Sequence, residues 1–258
     1  MKAPAFDYAR PRDVAEAVKL LSAEGAKAAA GTQSLGPMLN LRIAHPTLLV
    51  DVRGIEELRF VSEHQDAVTI GACITHAEIE DGRVPDPTRG LMASVAGNIS
   101  YRAVRNRGTI GGSLAHADPA ADWPTALTLL GAIAVIAGPR GRREVPVERF
   151  VSGIFTTALE ADELVVAIRI PKRSASARYG YWKFCRKAGE FAQAIGAALH
   201  DPERNETRAV IGAIDGPPHL LKTFEITDEV LRAIGNDAYS RQLHHVALKR
   251  AVAQVSQS

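Results

Sequence analysis

The sequence predicts an α+β protein built in three lobes, with breaks near residues 57 and 172. Three observations carry that reading. A capped amphipathic helix lies between short apolar segments in the first 55 or so residues, giving a compact βαβ-like unit. The middle third alternates short strands with short helices, and the last third turns to aromatic-rich strand candidates followed by helices.

The elements follow in order. Asp13-Val-Ala-Glu16 has the form of a capping box, with Val14, Ala17, Val18 and Leu21 on one face and Gly25 as the stop. A small-residue strand over 27–30 runs into the loop Gly31-Thr-Gln-Ser34, and Leu48-Leu-Val-Asp-Val52 forms a buried strand. Short elements follow: a strand over 67–70 and helices over 88–97 and 125–130. Residues 132–137 and 143–147 pair as a hairpin around Gly138-Pro-Arg-Gly141, and 162–171 closes the lobe as a strand. Beyond the second break, 178–186, 191–199 and 208–214 are strand candidates, and helices start near Thr223 and Ala238. No internal repeat or low-complexity tract interrupts the chain.

Composition excludes several functions. Of 258 residues, 46% are apolar and the formal net charge is +2, so no surface is dedicated to nucleic acid. The basic run Pro139-Arg140-Gly141-Arg142-Arg143 carries no aromatic residue and suits a solvated hairpin tip. Two cysteines, Cys73 and Cys185, make neither a disulfide framework nor a metal site, and an iron–sulfur cluster usually takes four thiolates. No apolar run approaches a membrane span and the N-terminus has no signal-like core, so a cytoplasmic protein with no transmembrane segment is expected.

Chemistry concentrates in Arg105-Asn-Arg-Gly-Thr-Ile-Gly-Gly-Ser-Leu-Ala-His-Ala-Asp-Pro-Ala-Ala-Asp-Trp-Pro124. Glycines at that density mean close backbone approach or positive φ. Gly31-Thr-Gln-Ser34 and Thr109-Ile-Gly-Gly-Ser113 each present backbone N–H groups and a hydroxyl after an apolar segment. Such loops form anion-binding concavities, and two of them suit the two halves of a pyrophosphate; tight turns between strands are the plain alternative. Neither GxxxxGK[ST] nor GxGxxG after a first strand is present, which removes the P-loop and Rossmann readings. His116, Asp118 and Asp122 have a spacing that a cation tolerates, but no second cluster completes a metal site. Asp122, just before Trp123-Pro124, equally suits the start of a helix.

Ala30-Gly-Thr-Gln-Ser-Leu-Gly-Pro-Met-Leu-Asn-Leu-Arg42 and the stretch from Arg105 to Asp122 resemble the two FAD-binding motifs of the medium subunit of molybdenum hydroxylases. Phe6-Asp-Tyr8 and Lys183-Phe-Cys-Arg-Lys-Ala-Gly-Glu-Phe-Ala192 extend the likeness over nearly the whole chain. The resemblance implies the p-cresol methylhydroxylase (PCMH) type of FAD fold: α+β lobes over 1–57 and 58–172 clasping FAD, then a C-terminal α+β domain over 173–258. It implies that Ala29, Ala30, Gly31, Thr32, Gln33, Ser34, Leu35 and Thr109, Ile110, Gly111, Gly112, Ser113 hold the pyrophosphate. Asp122 is placed near the ribityl or pyrophosphate part, and Lys183 and Phe191 near the isoalloxazine. His76, in Ile-Thr-His-Ala-Glu, is either a cofactor-side group or a capping-loop histidine. Departures stand out as well: Thr32 replaces a family glycine, Arg102-Ala103 replaces Pro-Gln, and Glu190 replaces an aspartate.

Other residues keep two readings. Tyr101 and Trp182 suit either stacking on a ring or core packing. The arginines of Arg105-Asn-Arg107 suit a phosphate or a partner's acidic surface, and Cys185 is expected to be a buried thiol. The chemistry implied is electron transfer through FAD. The molybdenum-pterin cofactor and two 2Fe–2S clusters would sit on a large molybdenum subunit and a small iron–sulfur subunit, in a dimer of heterotrimers. A free-standing flavin oxidase of the vanillyl-alcohol-oxidase type and a flavin-free scaffold subunit are the alternatives.

Overall fold

The first sheet is parallel because two short crossovers return the chain in the same direction. In a computed structural model describing residues 2–235 and 237–257, β1 (Asp7–Ala9), α1 (Val14–Leu21), β2 (Ala26–Ala29), α2 (Leu35–Asn40) and β3 (Leu48–Asp51) form a sheet of order β1-β3-β2. β3 pairs in parallel with both neighbours, which leaves β2 at an edge. α1 buries Val14, Ala17, Val18 and Leu21, and Asp13 caps it by accepting from the Glu16 N–H at 2.7 Å. The Glu16 carboxylate accepts from the Arg12 N–H instead of closing the box on Asp13.

Next come β4 (Val61–Glu63), β5 (Ala67–Gly71), α3 (His76–Glu80), α4 (Leu91–Gly97), α5 (Arg102–Arg105), α6 (Ile110–His116) and α7 (Asp122–Leu130). They are followed by β6 (Ile133–Gly138), β7 (Gly141–Pro146), α8 (Val147–Phe150), β8 (Val151–Gly153), β9 (Thr156–Thr157) and β10 (Leu164–Pro171). The antiparallel sheet runs β4-β5-β10-β6-β7. Its central strand serves two cores. Leu164 and Val166 face the core shared with α1 and β3, whereas Val165, Ile168 and Ile170 face the core of α4 and α7. The register against β6 shifts between Val165 and Ala167, and that bulge explains why the inward parity changes from odd to even numbers.

The third sheet, β11 (Arg178–Phe184), β12 (Ala194–Asp201), β13 (Glu206–Gly212) and β14 (His219–Leu221), is an antiparallel meander followed by α9 (Asp228–Ile234) and α10 (Ala238–Gln257). α10 rests on it at two glycines. A Cβ on Gly180 would stand 1.9 Å from the Ala251 carbonyl oxygen, and one on Gly196 would stand 2.4 Å from that of Ala247. The opposite face, with Ala197, Leu199 and Val210, packs on α7. All nine residues of α7 are buried. A helix that is buried all round must settle both termini inside the protein.

Several elements differ from expectation, each for a local reason. The strand β1 and the helix α2 carry too few periodic residues to be read from sequence. The helix expected from residue 88 begins at Leu91, because Asp86 accepts from the Thr88 and Gly90 N–H groups and holds an Asx turn. The helix expected from Thr223 begins at Asp228, capped by Thr227, while Phe224 and Ile226 pack into a core. α7 begins at Asp122, not at residue 125. Thr109-Ile-Gly-Gly-Ser113 is not a loop: Thr109 caps α6, accepting from the Gly112 N–H at 3.1 Å.

Because the α10 backbone lies directly on β12, Gly196→Ala is expected to lower stability by about 2–3 kcal/mol through overpacking. Urea denaturation of the variant against the wild-type chain measures it, and an unchanged midpoint would contradict the contact.

Candidate functional site

The first two sheets and the edge of the third enclose a cavity of about 630 Å³. Of the residues singled out from sequence, Ala30, Gly31, Thr32, Gln33, Ser34, Leu35, His76, Thr109, Gly111, Gly112, Ser113, Asp122, Lys183 and Phe191 line it. Ala29 and Ile110 do not. Ala29 ends β2 with its side chain buried, and Ile110 is fully enclosed in the core beneath α6.

The glycines here serve close approach. A Cβ on Gly31 would lie 2.1 Å from the Arg107 carbonyl oxygen, and one on Gly111 would lie 2.4 Å from the Ala72 Cβ. Gly108 lies against the His76 ring, where a Cβ would come within 2.8 Å. The two glycine segments are therefore locked together, with the β5–α3 connection beneath them. Positive φ falls instead on Thr32, at 56°, beside Gly31. For a β-branched residue that conformation is an outlier and costs about 1–2 kcal/mol.

Donor accounting separates the two segments. In the second, Ile110 N–H donates to the Ile74 carbonyl (3.0 Å), Gly111 N–H to Ala72 (3.0 Å) and Ser113 N–H to Thr109 (2.9 Å). With Gly112 N–H held by the Thr109 hydroxyl, those four donors are spent on the scaffold, contrary to the expectation of a free concavity. In the first segment, the N–H groups of Gly31, Thr32, Gln33, Ser34 and Leu35 have no partner among the described residues. This segment keeps its shape through its acceptors: the Gly36 N–H donates to the Thr32 carbonyl (2.9 Å) and Gln33 Nε2 to the Gly31 carbonyl (3.0 Å).

A buried ionic group closes one wall. Lys183 Nζ stands 2.8 Å from Asp122 Oδ2 and donates to the Asn98 carbonyl at 3.0 Å, while the Tyr181 hydroxyl donates to Asp122 Oδ1 at 2.9 Å. Tyr181 and Lys183 are two residues apart on β11, hence on one face. Burial pushes the Asp122 carboxyl above its usual range, with the Lys183 ammonium opposing it, and pushes the Tyr181 hydroxyl up as well. Sequence reading missed Tyr181, although its alternation with Lys183 was available.

His76 is 5% exposed at the start of α3. Its Nδ1 accepts from the Trp123 indole N–H at 3.1 Å, so the neutral ring carries its proton on Nε2. Burial lowers its pKa to about 4, so the ring is neutral at pH 7. His116 and Asp118 also line the cavity but do not make a metal site. Asp118 accepts from the Ala120 N–H in a turn, and the His116 ring packs 5.1 Å from that of Phe155. Among the described residues no group of three or more His, Cys, Asp or Glu is arranged for a metal.

Other expectations are corrected. Arg105 faces neither phosphate nor partner; it holds Glu80 with Nε and Nη2 at 2.7 and 2.9 Å. Arg102 is likewise committed to Glu80 and Asp81 and does not line the cavity. Cys185 is half-buried, because β11 ends at Phe184. Tyr101 is exposed and its ring covers Gly189, whereas Trp182 lies on the α10 side under the Arg250 guanidinium.

An α+β protein whose lobes close on a long cleft, with an N–H-rich loop at a sheet's carboxyl end, has the build of a dinucleotide-cofactor binder. The chain belongs to a defined family of that class, the FAD binding domain in molybdopterin dehydrogenase, which it matches over residues 4–173. It is 34% identical over 220 residues to the nicotine 6-hydroxylase medium subunit of Paenarthrobacter nicotinovorans, covering 84% of this chain and 77% of that one. It is 40% identical over 193 residues to the carbon monoxide dehydrogenase medium chain of Hydrogenophaga pseudoflava, covering 74% and 67%. A solved structure of the Hydrogenophaga pseudoflava carbon monoxide dehydrogenase, lacking the Mo-pyranopterin moiety of its molybdenum cofactor, superposes with a TM-score of 0.91 at 32% identity. It covers 100% of this chain and 99% of that one. The family shows the PCMH-type fold read from the sequence.

Two outcomes are expected. The unfolded chain protonates His76 below its ordinary pKa of 6.5 while the fold keeps it neutral down to about 4. The unfolded state thus binds more protons in that window, so stability falls as pH drops through it, by about 3 kcal/mol in all. His76→Gln should flatten that part of the stability–pH curve. Lys183→Met strands the Asp122 carboxyl and should cost about 3–5 kcal/mol in chemical denaturation.

Proposed function

We propose that this chain is the flavoprotein subunit of a heterotrimeric molybdenum-dependent hydroxylase or dehydrogenase, passing electrons from a partner's iron–sulfur clusters through FAD to an external acceptor. The observation that carries the reading is the run of five unpartnered N–H groups over Gly31 to Leu35 at the cavity wall, in a chain of this family. Such a run suits a pyrophosphate, because N–H donors to an anion make the stronger, charge-assisted bonds.

Residue roles follow from the same arrangement. The first segment would hold the pyrophosphate, with Gly112 and Ser113 completing its wall. Thr109, Ile110 and Gly111 serve by fixing α6 against the β5–α3 connection. Lys183 and Phe191 would border the isoalloxazine, and Asp122 acts through Lys183, whose ammonium it holds in place. His76 would present an uncharged N–H. FAD, once bound, supplies the exchange between one-electron carriers and a two-electron acceptor.

The partition into lobes 1–57 and 58–172 and a C-terminal domain 173–258 belongs to this reading; each of the three main sheets lies within one of these spans. A chain with two cysteines holds no iron–sulfur cluster of its own. On the likeness to medium subunits, the clusters and the molybdenum-pterin cofactor are assigned to a small and a large partner chain, and the reading extends to a dimer of heterotrimers and a cytoplasmic compartment. Among the described residues no helix is long and apolar enough to cross a membrane.

The test is the visible absorption spectrum of the purified chain, with chromatography of the cofactor released on denaturation. An equimolar amount of FAD is expected, and Gly31→Ala, which drives a methyl group into the Arg107 carbonyl, should lose most of it. A wild-type protein that stays colourless with added FAD, alone and with its partner chains, overturns the reading.

A further inference from the structure

Thr32 occupies a conformation that glycine adopts without strain, and no hydrogen bond to its side chain among the described residues repays the difference. Its φ is 56°, its side chain is half-buried at the cavity wall, and its hydroxyl has no hydrogen-bond partner among the described residues. The segment is not free to relax. On one side Gly31 is pressed against the Arg107 carbonyl, and on the other the Thr32 carbonyl accepts from Gly36 as α2 begins. A left-handed residue within a run of unpartnered N–H groups is the backbone pattern of an anion-binding concavity, which accounts for the backbone conformation. It does not account for threonine, since glycine gives the same backbone geometry more cheaply.

We propose that Thr32 Oγ1 is a further cofactor-positioning group that donates a hydrogen bond to a phosphate oxygen of the bound dinucleotide, adding a side-chain donor to the five N–H groups around it. The inference rests on the reading of this cavity as an FAD site. It assigns the side chain a role opposite to crowding: strain is carried by the empty protein and repaid when the anion arrives. Hydrogen bonds to charged groups are strong enough to repay it.

The experiment titrates FAD and, separately, ADP into the deflavinated full chain for wild type, Thr32→Ser, Thr32→Val and Thr32→Gly, and records the thermal midpoint of each empty protein. Thr32→Ser should bind both ligands as wild type does. Thr32→Val, the same shape without the donor, should bind both about tenfold more weakly. Thr32→Gly should also bind both more weakly, while its empty form melts no lower than wild type. Affinity and stability then move independently, which a merely structural role would not produce. Equal or tighter binding by Thr32→Val or Thr32→Gly overturns the proposal in favour of a neutral or crowding side chain. Weaker FAD binding with unchanged ADP binding overturns it too, because the contact would then lie away from the phosphates. A wild-type chain that takes up neither ligand, alone or with its partner chains, overturns the FAD reading and this inference together.

Discussion

A fully buried helix cannot leave its last carbonyls or a first-turn carboxylate to water, and in α7 groups from the third sheet and its approach take water's place. At its start, Asp122 receives Lys183 and Tyr181 from β11. At its end, the Leu130 carbonyl accepts from Arg173 Nη2 at 3.0 Å and the Thr128 carbonyl from Arg208 Nη2 at 2.9 Å. Positive side chains at a helix C-terminus and a carboxylate in its first turn both complement the helix dipole. The helix thus joins the second and third sheets at both ends. Because its first residue lines the cavity, the same contacts that fasten the lobes together also fix one wall of the site.

The other wall depends on missing side chains. Gly31, Gly108 and Gly111 each sit where a Cβ would overlap a neighbour: the Arg107 carbonyl, the His76 ring and Ala72. The density of glycine between residues 105 and 112 is explained by packing of three backbone segments, since none of those glycines has positive φ. That packing consumes the N–H groups of α6. The Gly31 segment, held by its Gly31 and Thr32 carbonyls and by contact at Gly31, keeps its N–H groups for a ligand.

Legibility in the sequence followed the physics of each element. α1 was readable because four apolar residues repeat at helical spacing behind a capping aspartate, and burial follows that stripe. The hairpin of β6 and β7 was readable from its Pro-Arg turn between glycines. β1 was not, since three exposed or half-buried residues carry no period and the strand exists through its pairing with β3. α6 was hidden because glycines lower helix propensity, and the helix is held by Thr109 and by bonds to the β5–α3 connection, which are long-range contacts. At the site, almost all the residues that motif likeness singled out line the cavity, but it did not distinguish those that face the cavity from those, such as Ile110, that support it. Arg105 shows why: a sequence displays its charge, while only the fold reveals that Glu80 has already taken it.

The charge pattern around the cavity then favours a particular division of labour. On the cavity wall Lys183 is committed to Asp122, behind it Arg102 and Arg105 are committed to Glu80 and Asp81, and His76 stays uncharged because burial and the Arg105 guanidinium both oppose its protonation. Beside Lys27, which also lines the cavity, recognition of an anion here falls on dipoles: the N–H groups of Gly31 to Leu35, around the left-handed turn at Thr32. Dipoles fixed by packing need no reorganisation when the anion binds, whereas exposed lysines and arginines must be ordered first. The left-handed turn at residue 32 and the steric exclusion of a side chain at Gly31 are the structural cost of that preorganisation. Both fall in a segment of five residues at the carboxyl end of β2, an edge strand whose free side leaves room for a long ligand to lie between the lobes.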